Sequence, residues 1–354
     1  MPGIAFESLK QTAIFHSPLK DGNLDKQQIE VRLDPLTGHQ SIFNAGLEGK
    51  TSVLFPATDH DYLEMQAEQT RHQCFLCDGK WQNTTPRFDS KLVKEGRMVR
   101  GEAVLFPNLF PLAAHHAVIM LGNKHFRPLN DLPASLLRDA LSVSVKFMRL
   151  CHEADKDMKH FTINGNYLLP AGSSVFHPHL QVLGSPFPGT HEGLLHKLSR
   201  EYYREHGSCY WLDLAETEKQ TGQRWLREIG ESSWFAAYSP MGTHEVNAVW
   251  HKARHFLEWD EADVNAMAEG LSRVLTAYHA MNCSTFNFSC FGAPMEGDHP
   301  EFRCFLRLIN RQNMAPNYRT DDFYFQKLLK NEIVVQLPER LATFIRVHFG
   351  LGKP

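Results

Sequence analysis

No apolar run in this chain approaches the roughly 18 residues that a membrane span requires, and neither sign of charge dominates. With 37 Lys and Arg against 40 Asp and Glu, the formal net charge is −3 over 354 residues. No broad field therefore draws the protein to nucleic acid or to a membrane surface, although local groups can still hold small polyanions such as nucleotides. The start, Met1-Pro2-Gly3-Ile4, has neither the basic flank nor the apolar stretch of a signal peptide. Cysteine is sparse: seven residues, an odd number, with one closely spaced pair. In a chain of this length that usage argues against a disulfide scaffold and for a reducing compartment, with the cytoplasm as the expected location. Low-complexity segments are missing too.

Histidine is plentiful. There are 20 of them, and the most telling group is the pentad His177-Pro178-His179-Leu180-Gln181. An extended segment repeats every two residues, so His177, His179 and Gln181 are expected on one face and Leu180 and Val182 on the other. Just upstream, Ala171-Gly172-Ser173-Ser174 is a small, hydroxyl-rich turn whose backbone N–H groups suit a phosphate. A His-rich edge strand closed by Pro178 would explain one histidine. The whole cluster points instead to a histidine that attacks phosphorus.

Two stretches repeat one plan. The first runs 103–107, 116–120 and His125-Phe126; the second runs 234–240, 245–249 and His255-Phe256. An amphipathic helix is expected after each His-Phe pair. In the first copy Asp131 is the expected cap, with Leu136, Leu137, Ala140, Phe147 and Met148 on one stripe. In the second, Asp260 precedes Val264, Met267, Ala268, Leu271, Leu275 and Tyr278. Strands are expected at 161–164 and 285–288, then along the pentad and 302–308. Phe305 and Arg307 fall where the first copy has His177 and His179. The expected class is α+β, with a mainly antiparallel sheet and helices packed on one side. The stretch 184–230, helical over 192–206, reads as the connection, and helices at 321–330 and after Pro338 close the chain. Arg303 and Arg307 are expected either to contact phosphate or to line a solvated sheet face.

These residues resemble the galactose-1-phosphate uridylyltransferase branch of the histidine-triad superfamily. The likeness extends over roughly residues 30–330. It includes Arg32-Leu33-Asp34-Pro35-Leu36-Thr37-Gly38, similar to the family's opening segment, Cys74-Phe75-Leu76-Cys77, similar to its zinc pair, and Phe106-Pro107-Asn108-Leu109-Phe110-Pro111. The resemblance implies two tandem histidine-triad-like repeats. Residues 1–190 would carry the zinc pair and the working strand, and residues 191–354 a degenerate repeat with the closing helices. It implies His179 as nucleophile, Gln181 as its partner on the phosphoryl oxygens, and Asn166, Ser173 and Ser174 as substrate contacts. It implies one structural zinc held by Cys74, Cys77, His125 and His177, with His115 and His116 as rivals of His125. A homodimer is implied as well. The chain departs from the family pattern in three places. Leu180 follows the nucleophile where a small residue is usual. After the opening segment no arginine stands out as a grip on the donor's phosphates, and Lys50 is the nearest cation. Cys290, Phe305 and Arg307 stand where some relatives build a second metal site, so that site is expected to be absent.

The chemistry suits these residue types. Imidazole with an unperturbed pKa of about 6.5 is a neutral nucleophile near pH 7. Attack on the α-phosphorus of a nucleotide-sugar releases sugar 1-phosphate, a leaving group that needs no proton, so an amide at position 181 suffices. A phosphate acceptor then takes the nucleotide from the histidine. The expected activity is nucleotidyl transfer from a nucleotide-sugar to a hexose 1-phosphate or to inorganic phosphate. A nucleotide-sugar phosphorylase, a nucleotide hydrolase and a zinc-stapled nucleotide-binding module without turnover are the competing readings. A redox role for the CxxC would need a thioredoxin-like context that the neighbourhood lacks.

Overall fold

The computed structural model describes residues 3–350, and of residues 48–51 the backbone alone. The side chain of Lys50 thus lies outside the described residues. In chain order the strands are β1 (Ser8–His16), β2 (Leu24–Leu33), β3 (Gln40–Asn44), β4 (Met98–Arg100), β5 (Ala103–Pro107), β6 (His115–Leu121), β7 (His160–Tyr167), β8 (His179–Ser185), β9 (Trp225–Ile229), β10 (Ser232–Ala236), β11 (Thr243–Trp250), β12 (Phe286–Phe291), β13 (Phe305–Asn310) and β14 (Asn331–Val334). The helices are α1 (Thr51–Leu54), α2 (His60–Arg71), α3 (Trp81–Thr84), α4 (Ala134–Ala154), α5 (Thr190–His206), α6 (Tyr210–Thr221), α7 (Glu261–Ala280), α8 (Tyr324–Lys327) and α9 (Pro338–His348).

Ten strands form one sheet in the order β4-β5-β6-β8-β7-β12-β13-β11-β10-β9. Read inward from either edge, the two halves have the same order: three strands in sequence, then the fifth, then the fourth. Each half thus repeats one plan, and the two meet where β7 pairs antiparallel with β12, Asn166 opposite Asn287. A smaller sheet, β1-β2-β3-β14, joins the two ends of the chain through the parallel pair β3–β14.

Helices α4 and α7 occupy equivalent places in the two halves and cover one face of the large sheet. On α4 the stripe Leu137, Ala140, Leu141, Phe147, Met148 and Cys151 shares one core with Leu180 and Val182 of β8 and Ile163 of β7. On α7 the capping box of Asp260 and Asp263 sets the start. Gly270 has no side chain there, so the Trp234 ring of β10 comes up against the helix; a Cβ would clash with it. On the opposite face of the second half, α5 and α6 pack Leu195, Trp211 and Leu214 against Phe235, Val249 and Phe305. On the same face of the first half Cys74, Leu76 and Trp81 cover Val104, Phe106 and Met120 of β5 and β6, and the opening lies over β7 and β8, where Asn164, Asn166 and Gln181 are half-buried.

Local details differ from the sequence expectations. Asp131 does not cap α4. Its carboxylate pairs with Lys124 at 2.9 Å and Arg127 at 3.3 Å, and Pro133 takes the cap position. The expected 321–330 helix shrinks to the single turn α8, because Asp321 is held by Arg311 and Lys330 adopts a left-handed φ of 57° that turns the chain into β14. The connection holds a second helix, α6, beyond the one expected over 192–206. All seven cysteines are buried and free.

Burial lowers His191 and His244 to about 4. In the unfolded chain both titrate near about 6.5, so below that pH the unfolded state binds protons that the folded state refuses. Stability should therefore be complete above about pH 6.5 and fall between there and about pH 4. Urea midpoints at about pH 7.5 and pH 5 check this. Equal midpoints would contradict it.

Candidate functional site

The open face owes its character to strand alternation. Leu180 and Val182 point from β8 into the core and are fully buried, which turns His179 and Gln181 to the uncovered side. The strand begins at His179, so His177 lies in the bend before it and not in one extended run with the other two. Register then lines up neighbours: Gln181 stands opposite Val118 on β6 and Asn164 on β7, Asn166 opposite Asn287, and Ser289 opposite Arg307. A polar strip thus runs across the middle of the sheet, from His116 through Gln181 and the asparagines to Arg307.

Hydrogen bonds fix the protons on this strip. Nδ1 of His179 is 2.9 Å from the His177 carbonyl. A carbonyl only accepts, so Nδ1 carries the hydrogen and Nε2 keeps its lone pair. Burial lowers the His179 pKa against the opposing pull of that carbonyl, so the ring is neutral near pH 7. Gln181 is oriented in the same manner. The Leu112 N–H donates to Nδ1 of His116 at 3.1 Å, leaving the hydrogen on Nε2, which donates to Gln181 Oε1 at 2.7 Å. The Gln181 NH2 is thereby directed away from His116 as a donor pair. His116 was weighed from sequence only as a zinc rival; nothing in its local pattern marks it as the partner of a residue 65 positions later.

The third group is the loop between β7 and β8. Asn287 donates to Asn166 Oδ1 at 2.8 Å and to the Ala171 carbonyl at 2.9 Å. Arg311 in turn donates to Asn287 Oδ1 at 2.7 Å and grips Asp321 with two bonds. With its oxygen taken, Asn166 presents its NH2 outward. The expected backbone cradle is largely spent within the turn. The N–H groups of Ala171 and Ser173 bond the Leu168 carbonyl, and that of Gly172 bonds Leu169, because Gly172 at φ 84° folds the chain back on itself. Ser173 donates its hydroxyl to Val175 at 2.6 Å. Of the four residues only Ser174 is exposed with its N–H unbonded in the turn. The sequence could not show this, since those bonds depend on the turn type.

Beside this strip, Cys74, Cys77, His125 and His177 come together. All four are buried, and one ligand atom from each lies within 4.8 Å of the others. Cys77 Sγ is 3.2 Å from His125 Nδ1 and 3.4 Å from His177 Nδ1, and Cys74 Sγ is 3.7 Å from His177 Nδ1. The S–N edge of a tetrahedral zinc site is about 3.5 Å from standard bond lengths. The outer nitrogens are fixed as well. His177 Nε2 donates to the Gly122 carbonyl at 2.8 Å. His125 Nε2 donates at 2.9 Å to Thr70 on α2, whose own hydroxyl is given to Gln66. Both Nδ1 lone pairs therefore face the sulfurs, as second-sphere partners arrange them in metal sites. Burial and the neighbouring Cys74 push the Cys77 thiol up to about 12, so a metal entering here must displace a proton. A cleft of about 620 Å³ lined by Arg71, Cys77, His125 and Arg127 offers the way in. The structure brings His125 to the cysteines and leaves the rivals elsewhere: His116 on Gln181, and His115 edge-on to Phe147. The donor set, two thiols and two imidazoles in a closed shell, fits a structural zinc.

In the second half, Phe305 packs on Trp211, with ring centroids 4.3 Å apart. Arg307 is not on a solvated face. Its side chain is 12% exposed and paired with Glu245 at 3.1 Å and Asp34 at 3.6 Å. Arg303 is bound to the carbonyls of His251 and Phe302. Among the described residues no helix is long and apolar enough to cross a membrane.

No family model matches the chain. An uncharacterized protein of Archaeoglobus fulgidus is 30% identical over 328 residues, covering 93% of this chain and 94% of that one. Among solved structures, an ADP-glucose phosphorylase from Arabidopsis thaliana with bound ADP-glucose superposes with a TM-score of 0.68 at 17% identity, over 90% of this chain and 98% of that one. A uridylyltransferase superposes with a TM-score of 0.64 at 16% identity, over 90% and 98% of the two chains. At these identities the structures speak for the fold.

Proposed function

Because the chain belongs to one family with the Archaeoglobus fulgidus protein and has the fold of the galactose-1-phosphate uridylyltransferase branch of the histidine-triad superfamily, we propose that its open sheet face carries out nucleotidyl transfer. The observation that carries this reading is the fixed tautomer of His179, with Nε2 left as a lone-pair nitrogen on the open face.

His179 Nε2 attacks the α-phosphorus of a nucleotide-sugar. The new N–P bond forms as the bond from that phosphorus to the bridging oxygen breaks, and sugar 1-phosphate leaves with the electron pair. The Gln181 and Asn166 amides and the Ser174 N–H and hydroxyl donate to the phosphoryl oxygens as charge shifts onto them; Ser173 holds the turn. An oxygen of a hexose 1-phosphate or of inorganic phosphate then attacks the same phosphorus from the open side and frees the histidine. The zinc that Cys74, Cys77, His125 and His177 would hold supplies cross-linking, not Lewis acidity, since four protein donors close its shell. In this reading residues 1–190 form the working repeat and residues 191–354 its scaffold, and the protein acts as a homodimer in the cytoplasm. Gln181 argues against the hydrolase alternative, because an amide cannot protonate a leaving alkoxide or amine.

The test is incubation with labelled UDP-, ADP- and GDP-sugars without acceptor. One of them should leave an acid-labile nucleotide on the protein, removed by hexose 1-phosphate or phosphate. A protein that binds the nucleotide without ever acquiring the label would refute the proposal. His116→Ala frees the Gln181 amide to rotate and should slow labelling by about tenfold, ~1.4 kcal/mol at the transition state, while thermal stability changes little. Rapid-quench measurement of the label decides it.

A further inference from the structure

A second group of metal-type donors lies apart from this machinery. His160 opens β7, opposite Ser185 of β8, six residues and about 20 Å of extended strand before Asn166. Glu192 and His196 sit one turn apart on α5 and so share a face. One ligand atom from each of the three lies within 4.8 Å of the others. Glu192 and His196 are each 5% exposed, and the His160 side chain 12%.

A simple buried pair accounts for only two of them. His160 Nδ1 is 3.0 Å from Glu192 Oε1, and the other carboxylate oxygen accepts the Gly189 N–H at 3.0 Å. His196 is left over. Its Nε2 donates to the Gly292 carbonyl at 3.0 Å, so Nδ1 holds a lone pair, with the ring centroid 5.7 Å from that of His160. Among the described residues no hydrogen-bond donor is aimed at that lone pair. That nitrogen and the His160–Glu192 pair thus place three metal-type donors side by side, with the His196 lone pair left for water or a cation. The imidazole-to-carbonyl bond is also the second-sphere contact that orients metal-ligating histidines.

We propose that His160, Glu192 and His196 bind a divalent first-row transition metal with water completing the shell. Two imidazoles and one carboxylate form a harder donor set than the thiol site and favour zinc-class cations that accept nitrogen and oxygen ligands. The position suggests its use. Helix α5 connects the two repeats, His160 belongs to the first, and Gly292 follows β12 of the second. A metal here clamps the connecting helix to both half-sheets.

Cobalt titration of the metal-stripped full chain separates the two sites. Cobalt in the Cys74/Cys77 site gives intense thiolate charge-transfer absorption, whereas cobalt on His160, Glu192 and His196 gives weak visible bands alone. We expect two equivalents per chain, the second without thiolate absorption. Glu192→Gln keeps an acceptor for the Gly189 N–H and should weaken the second equivalent at least about a hundredfold, leaving the thiolate band and the circular dichroism unchanged. His160→Ala should do the same. Fewer than two equivalents in the wild-type chain, or a second equivalent that survives both substitutions, would overturn the proposal. Neither outcome depends on whether the protein transfers nucleotides.

Discussion

His179→Ala should yield a folded, metal-loaded protein that never acquires covalent nucleotide. The side chain sits at the edge of the core, 7% exposed, and its one hydrogen bond is to a carbonyl two residues away. Its removal therefore leaves the sheet and the Cys2His2 cluster in place. Turnover should fall by on the order of a thousandfold or more, at least ~4 kcal/mol of transition-state stabilisation. Mass spectrometry of intact protein after exposure to the nucleotide-sugar is the direct readout. A labelled His179→Ala variant would sink the mechanism. The pH dependence has a definite sign. Because burial lowers the pKa of His179, the ring remains neutral below the ordinary imidazole range. The labelling rate should then stay level as pH falls through about 6.5 and decline only at lower pH.

Cys77→Ser is expected to have the largest effect on stability. Cys77 Sγ lies close to both imidazoles, and the cluster joins the CxxC turn, the segment after β6 and the bend that precedes His179. Losing a ligand removes the metal, and with it several kcal/mol, on the order of 5. Chelation of the wild-type protein should approach the same loss. Calorimetry of wild-type, chelated and variant protein tests both, and equal melting temperatures in all three would show that no structural metal is bound. Cobalt loading of Glu192→Gln offers a control, because that variant keeps the thiolate site.

How much of this was legible in the chain depends on the reach of each interaction. The pentad and the CxxC could be found because their members are neighbours in sequence. The α4 and α7 stripes could be found because helical periodicity is local. The duplicated plan emerged from spacing and reappears as the mirrored strand order. His116 and Asn287 could not be found, because their roles arise from register: one meets Gln181 across β6–β8, the other meets Asn166 across β7–β12. The fate of the backbone cradle could not be read, because the N–H groups of residues 171–173 are consumed by the turn that the same small residues permit. His160, Glu192 and His196 carry no local signal, because the histidine and the carboxylate that meet are 32 residues apart.

The seam between β7 and β12 has a consequence for how the molecule can be divided. Asn287 lies in the second repeat yet steadies the amide of Asn166 in the first. Severing the chain near residue 190 would uncover two raw strand margins, each a ready template for association with any other chain. Separately produced fragments would have to re-join along that line before either became useful, or else precipitate. Joining both halves in one chain spares that search, because the half with Phe305 and Arg307 at the positions of His177 and His179 supplies the Asn287 amide that the other half lacks.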